Sequence, residues 1–215
     1  FNLSEILTHI GHSEKVLFMR VFITVLVLIF SLQSWTKADD IRDFEIEGIS
    51  IGDSLLDHFS KEEILKQIEE NKYMYNYLTD EFGQVYKYDG LSKYHFVSFY
   101  VRPKDKNFTI HGITGTMPHV ENISECHEQM KEIANEFSTL FKDAKQKEES
   151  YNHRVDKSGK SKVKEIMFIL KSNNEARIVC MDFEESLRIK NNWIDGLDIT
   201  LQTKELTKWF QNPIN

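Results

Sequence analysis

The sequence predicts an α+β fold: antiparallel sheet with two main helices packed on one face. Three observations carry this. Ile123, Cys126, Met130, Ile133, Phe137 and Leu140 recur at alternating spacings of three and four, the stripe of an amphipathic helix. Seven of the eight tyrosines fall between Tyr73 and Tyr100, in short runs broken by the hairpin pair Asp89-Gly90. Leu197, Ile199 and Leu201 alternate with Asp198, Thr200 and Gln202, the period of a strand with two unlike faces.

In chain order, Phe44, Ile46, Ile49 and Ile51 alternate imperfectly around Gly48, which predicts a strand with a bulge. Gly52-Asp53-Ser54 turns into a helical entry at Leu55, Leu56 and Phe59. Ser60 with Glu63 makes a capping box, and Ile64, Leu65 and Ile68 supply the inward stripe of the first main helix. Tyr86–Tyr88, the strand Tyr94–Val101 and the run Phe108–Thr114 read as an antiparallel meander. Asn122 is the expected N-cap of the second main helix. Val163–Leu170 and Arg177–Phe183 pair as central strands around Ser172-Asn173-Asn174, and Leu197–Gln202 is expected as an outer strand with one wet face. Leu206, Trp209 and Phe210 close the chain with a short amphipathic helix. Helix then meander occurs twice, so residues 46–116 and 119–203 are candidate halves of a duplicated unit within one domain, 39–215.

Residues 1–38 are expected to lie outside that domain. Met19-Arg20, the apolar run Val21–Leu32 and the small residues Thr36 and Ala38 have the layout of a signal peptide over 19–38. Cleavage is expected between Ala38 and Asp39, and residues 1–18 read as an upstream extension that is not native. The apolar run is shorter than the roughly 20 residues that span a bilayer as a helix. The address is a periplasm or secretion. An abundance of Lys, Asn, Ile and Phe with little Arg or Pro fits an AT-rich bacterial genome. No stable membrane insertion is expected after cleavage.

The leader holds three of the 27 basic and two of the 34 acidic side chains, so the remainder carries a net charge of −8. That acidity argues against nucleic acid and anionic membrane as partners, because both need a cationic footprint. Two cysteines in an oxidising compartment read first as a disulfide, Cys126–Cys180.

Motifs for chemistry are sparse. None of the six histidines after the leader makes His-x-His, His-x-x-x-His or His-Glu-x-x-His, so no metal or cofactor is expected, although His111, His119 and His127 could converge in space. There is no Gly-x-Ser-x-Gly elbow and no catalytic residue to name. The aromatic cluster is the candidate for binding. Alternation puts Val97, Phe99 and Val101 on one side of a strand and Phe96, Ser98 and Tyr100 on the other. Tyr86, Tyr88, Phe96 and Tyr100 form the candidate binding face, weighed against plain sheet packing, since strands favour aromatic residues in any case.

The segment Ile46–Leu56, with Ile178–Phe183 and Leu197–Phe210, resembles small secreted proteins of marine alphaproteobacteria whose activity is unknown. The spacing Gly48-x-x-x-Gly52-x-Ser54 is similar to the entry of outer-membrane assembly lipoproteins of the BamE type, in which a strand leads into helices and a meander. The resemblance implies an envelope role. The chain lacks the lipid-anchoring cysteine of that family, since its first cysteine is Cys126. Three functions remain: a non-catalytic interaction module binding an envelope protein, a small-ligand binder with a pocket between sheet and helices, and a secreted hydrolase with a dispersed site.

Overall fold

The computed structural model describes residues 40–75 and 77–214; the expected leader and the expected cleavage between Ala38 and Asp39 lie outside them. Its architecture is α+β. A small hairpin, β1 (Glu45–Ile46) and β2 (Ile49–Ser50), precedes helix α1 (Lys61–Asn71). A meander follows: β3 (Gly83–Lys87), β4 (Phe96–Val101) and β5 (Ile110–Pro118). Helix α2 (Ile123–Leu140) then leads to β6 (Lys145–Asn152), β7 (Lys162–Ile169) and β8 (Glu175–Asp182). Short α3 (Glu185–Asn191), β9 (Gly196–Gln202) and α4 (Lys204–Gln211) complete the chain. The seven long strands form one antiparallel sheet in the order β3-β4-β5-β9-β8-β7-β6.

The caps are those the sequence announces. Ser60 accepts from the Glu63 N–H at 3.3 Å, and Asn122 accepts from the Ser124 N–H at 3.1 Å. The α2 stripe buries Cys126, Met130, Ile133 and Ala134 against the sheet. On this helix face Val85, Phe99, Ile113, Leu201, Ala176 and Phe168 stand side by side across six strands. A disulfide joins Cys126 on α2 to Cys180 on β8. The layer between sheet and helices is lined by apolar side chains.

Two expectations are corrected. The segment around Gly48 is a hairpin: Glu47 and Gly48 both have positive φ, 55° and 75°, as a two-residue primed turn requires. Glu47 tolerates that backbone because its carboxylate takes the N–H groups of Ser92 and Lys93 and the Ser92 hydroxyl, at 2.8 to 3.1 Å. Strand β9 is central, between β5 and β8, not an outer strand. Its alternation shows that its two faces differ in chemistry. The polar face meets other polar side chains while staying partly accessible.

The β3 edge is closed by side chains that imitate a neighbouring strand. Gln67 of α1 donates to the Tyr86 carbonyl at 3.2 Å and accepts from the Tyr86 N–H at 2.8 Å. One turn on, Asn71 donates to the Gln84 carbonyl at 3.1 Å. The other edge, β6, carries Lys145, Lys147, Glu148 and Glu149, charges that discourage edge-to-edge pairing. Gln67→Ala uncovers the Tyr86 backbone. It is expected to cost about 1–2 kcal/mol and to cause concentration-dependent self-association by light scattering.

Candidate functional site

The sheet face opposite α1 and α2 is where the unusual chemistry collects. Its register gives two parallel rows across the central strands. One runs Tyr86, Ser98, Thr114, Thr200, Arg177 and Met167 from β3 to β7. The next runs Phe96, Thr116, Asp198, Val179 and Glu165 from β4 to β7. Antiparallel strands place such directly opposed side chains in contact. Thr114 and Thr200 share a hydrogen bond of 2.9 Å, and Thr116 donates to Asp198 at 2.6 Å. Arg177 holds Glu165, which is 2% exposed, through both Nε and Nη2. The Tyr151 hydroxyl donates to the same carboxylate at 3.2 Å.

One end of this face is shut by α4. Leu206 lies so near β5 that a Cβ at Gly112 would meet its Cδ2 at 2.2 Å and force that side chain to move. Trp209 and Phe210 pack there with Tyr75, Phe82 and Tyr100. The Tyr75 and Tyr100 hydroxyls are bonded at 2.6 Å, and Tyr75 and Tyr86 both donate to Gln84 Oε1, at 2.9 and 2.8 Å. Burial pushes the Tyr75 phenol up to about 12 and holds Tyr86 and Tyr100 well above the ordinary value, so all three stay protonated donors at neutral pH.

The β6–β7 loop crosses to the same region. A flat sheet would separate β4 from β6 by roughly 24 Å. Yet the Arg154 guanidinium lies 4.6 Å from the ring centre of Tyr77 and donates to its hydroxyl, and Tyr77 neighbours Tyr75 at 6.5 Å. The sheet and loop therefore curl over this face. The base of the loop is wedged by His153 against Phe183 and Trp193, with ring centres 5.1 and 5.3 Å away. Asp156 stiffens it by accepting from the Ser158 and Ser161 N–H groups, both at 2.7 Å.

Of the four residues expected to form a binding face, three come together. Tyr86 and Tyr88 stack at 6.0 Å, and Phe96 meets them at 5.7 and 5.9 Å. Tyr88 is 63% exposed, and Tyr73, on the turn after α1, is 73% exposed. The Tyr86 hydroxyl reaches Met74 of that turn. Tyr100 lies on the same sheet face but is 8% exposed and belongs to the cluster under α4. The histidines disperse: His111 packs on Phe82 and Thr203, and His119 bonds Gln129. Among the described residues, no group of three His, Cys, Asp or Glu side chains could hold a metal ion.

Asp198 was missed by sequence reasoning, and it is the most unusual group here. Burial raises its carboxyl to about 6 against the opposing effect of the Thr116 hydroxyl. Protein atoms crowd it, while part of the residue stays accessible. The available signal was the strict alternation of Leu197 to Gln202, read as marking a wet edge. No helix among the described residues is long and apolar enough to cross a membrane. Comparison with protein-family profiles, with curated proteins and with solved structures gave no match.

Proposed function

We propose that this chain is an exported, non-catalytic binding module whose working surface is the sheet face opposite α1 and α2, with a component of the bacterial envelope as its partner. The observation that carries the reading is the arrangement around Tyr86. Stacked, partly exposed rings at the β3 edge run without a break into hydroxyl and charged rows at the sheet centre. A face needed only for packing would carry purely apolar side chains, as the helix face does with its Val, Ile, Leu and Phe residues, and not hydroxyl and charged rows. Rings with a polar handle are the residues that dominate recognition surfaces. Export is supported by the leader Met19–Ala38 and by the Cys126–Cys180 bridge, which persists in oxidising compartments.

Two measurements test this. Mass spectrometry of the protein from its native cell should find an N-terminus at Asp39; peptides from residues 1–38 would refute the leader. A benzophenone amino acid replacing Tyr88 should crosslink an envelope component in living cells. The same group replacing Glu128, on the outer face of α2, should not. Adducts from position 128 alone would overturn the choice of face.

A further inference from the structure

Asp198 has no basic side chain within ion-pair distance among the described residues; its hydrogen-bond partner is the Thr116 hydroxyl. A counter-charge was within reach. Arg177 stands on the next strand, one diagonal step from Asp198, because Val179 is the residue directly opposite. Its guanidinium turns instead to Glu165 on the far side. Glu175, the other acid of this face without an ion pair, lies under α4 and takes the Gln202 amide at 2.9 Å. Asp198 differs: it stays partly accessible beside the aromatic end of the face.

Ionised carboxylates without a counter-charge are disfavoured away from bulk water, so a group that supplies one should bind there. The phenols of Tyr75, Tyr86 and Tyr100 all feel the charge of Asp198, and Phe96 shares its cross-strand row. Ring faces with one carboxylate suit an ammonium head, which gains from both the quadrupole and the charge. A hard metal ion would need several oxygen ligands, and no such group exists among the described residues. An anion would meet Asp198 and Glu165 together. Arg177 offsets one of these two acids, and Glu175 on β8 adds a further negative charge to the central strands. The protein already sets two cations against this cluster, Arg154 on Tyr77 and Arg102 on Phe82.

From this geometry we infer that the face binds an organic ammonium group, with Asp198 as its counter-charge and the rings of Tyr86 and Phe96 as its apolar wall. The inference rests on the reading of this face as the binding surface. The head could be a quaternary ammonium of a small molecule or the primary amine of a partner's lysine.

Calorimetric titration of the full chain at pH 7.5 tests it with choline, with n-butylammonium, and with 3,3-dimethyl-1-butanol as the uncharged isostere of choline. At least one cation should bind on the order of ten-fold more tightly than the isostere. Asp198→Asn should remove that preference while keeping the melting transition cooperative. Affinity should fall as the pH is lowered from 7.5 to 5, since protonation removes the counter-charge. Choline preferred over n-butylammonium assigns the site to a quaternary head, and the reverse assigns it to a lysine-like amine. No binding of either cation, or equal binding by Asp198→Asn, overturns the inference. If Tyr88 crosslinks persist in that case, the binding face stands without its cation; if they are absent too, both readings fall.

Discussion

Replacing Cys126 and Cys180 together with serine should lower the stability by about 4 kcal/mol. The bridge closes a loop with a sequence separation of 54, and tying such a loop restricts the unfolded chain by that order in the loop-entropy treatment. The folded state adds a local reason. Cys126 sits in the first turn of α2, and Cys180 lies on β8 opposite Leu197. The neighbouring Val179 of β8 points to the other face, beside Asp198. The bridge thus fixes the helix layer to a strand that floors the candidate site. For a domain of this size the thermal midpoint should fall by about 8–16 °C. Thermal unfolding of the oxidised protein and the double serine variant checks this, and coincident transitions would refute a stabilising bridge.

Trp209→Ala should cost about 3–5 kcal/mol, the range for truncating a buried large aromatic side chain. Trp209 is 4% exposed and touches Tyr75, Phe82 and Phe210. Its indole N–H donates to the Thr79 carbonyl at 2.8 Å, which ties α4 to the turn before β3. The loss should concentrate where α4 covers the sheet. Hydrogen exchange should accelerate first in residues 204–211 and in the 72–82 segment, while α2 stays protected. A loss under about 1 kcal/mol in denaturant unfolding would show that α4 docks by other means.

These two sites differ in how far the sequence revealed them. The stripe from Ile123 to Leu140 and the Ser60 and Asn122 caps are local signals, written within one helix, and the structure follows them. The pairing of Cys126 with Cys180 needed only an even count and the oxidising address that the leader leads one to expect. The apolar side of α4 was visible in Leu206, Trp209 and Phe210, but not which sheet face it covers. Tyr86, Tyr88 and Phe96 could be grouped because they flank one hairpin. Asp198 could not be placed, because a period of two reports that a strand has two unlike sides and says nothing of its neighbours. Those neighbours, Thr116 and Val179, come from strands about 80 and 20 residues away in the chain. The Glu47-Gly48 turn escaped for a related reason: glutamate rarely takes a positive φ, and the groups that hold it, at Ser92 and Lys93, lie on the distant loop between β3 and β4.

The most direct test of the candidate site is the pH dependence of stability for the wild type and Asp198→Asn. The Asp198 carboxyl titrates near 6 in the fold, through burial, against about 3.9 in the unfolded chain. The folded protein therefore holds the extra proton between these values, and wild-type stability contributed by this group falls as pH rises from about 4 to about 6. Above about pH 6 the ionised group leaves a deficit of about 3 kcal/mol that asparagine does not carry. The two proteins should be about equally stable near pH 4, with Asp198→Asn the more stable by up to that amount at pH 8. Equal stability at pH 8, or a less stable Asp198→Asn there, would contradict the claim that this face holds an uncompensated carboxylate.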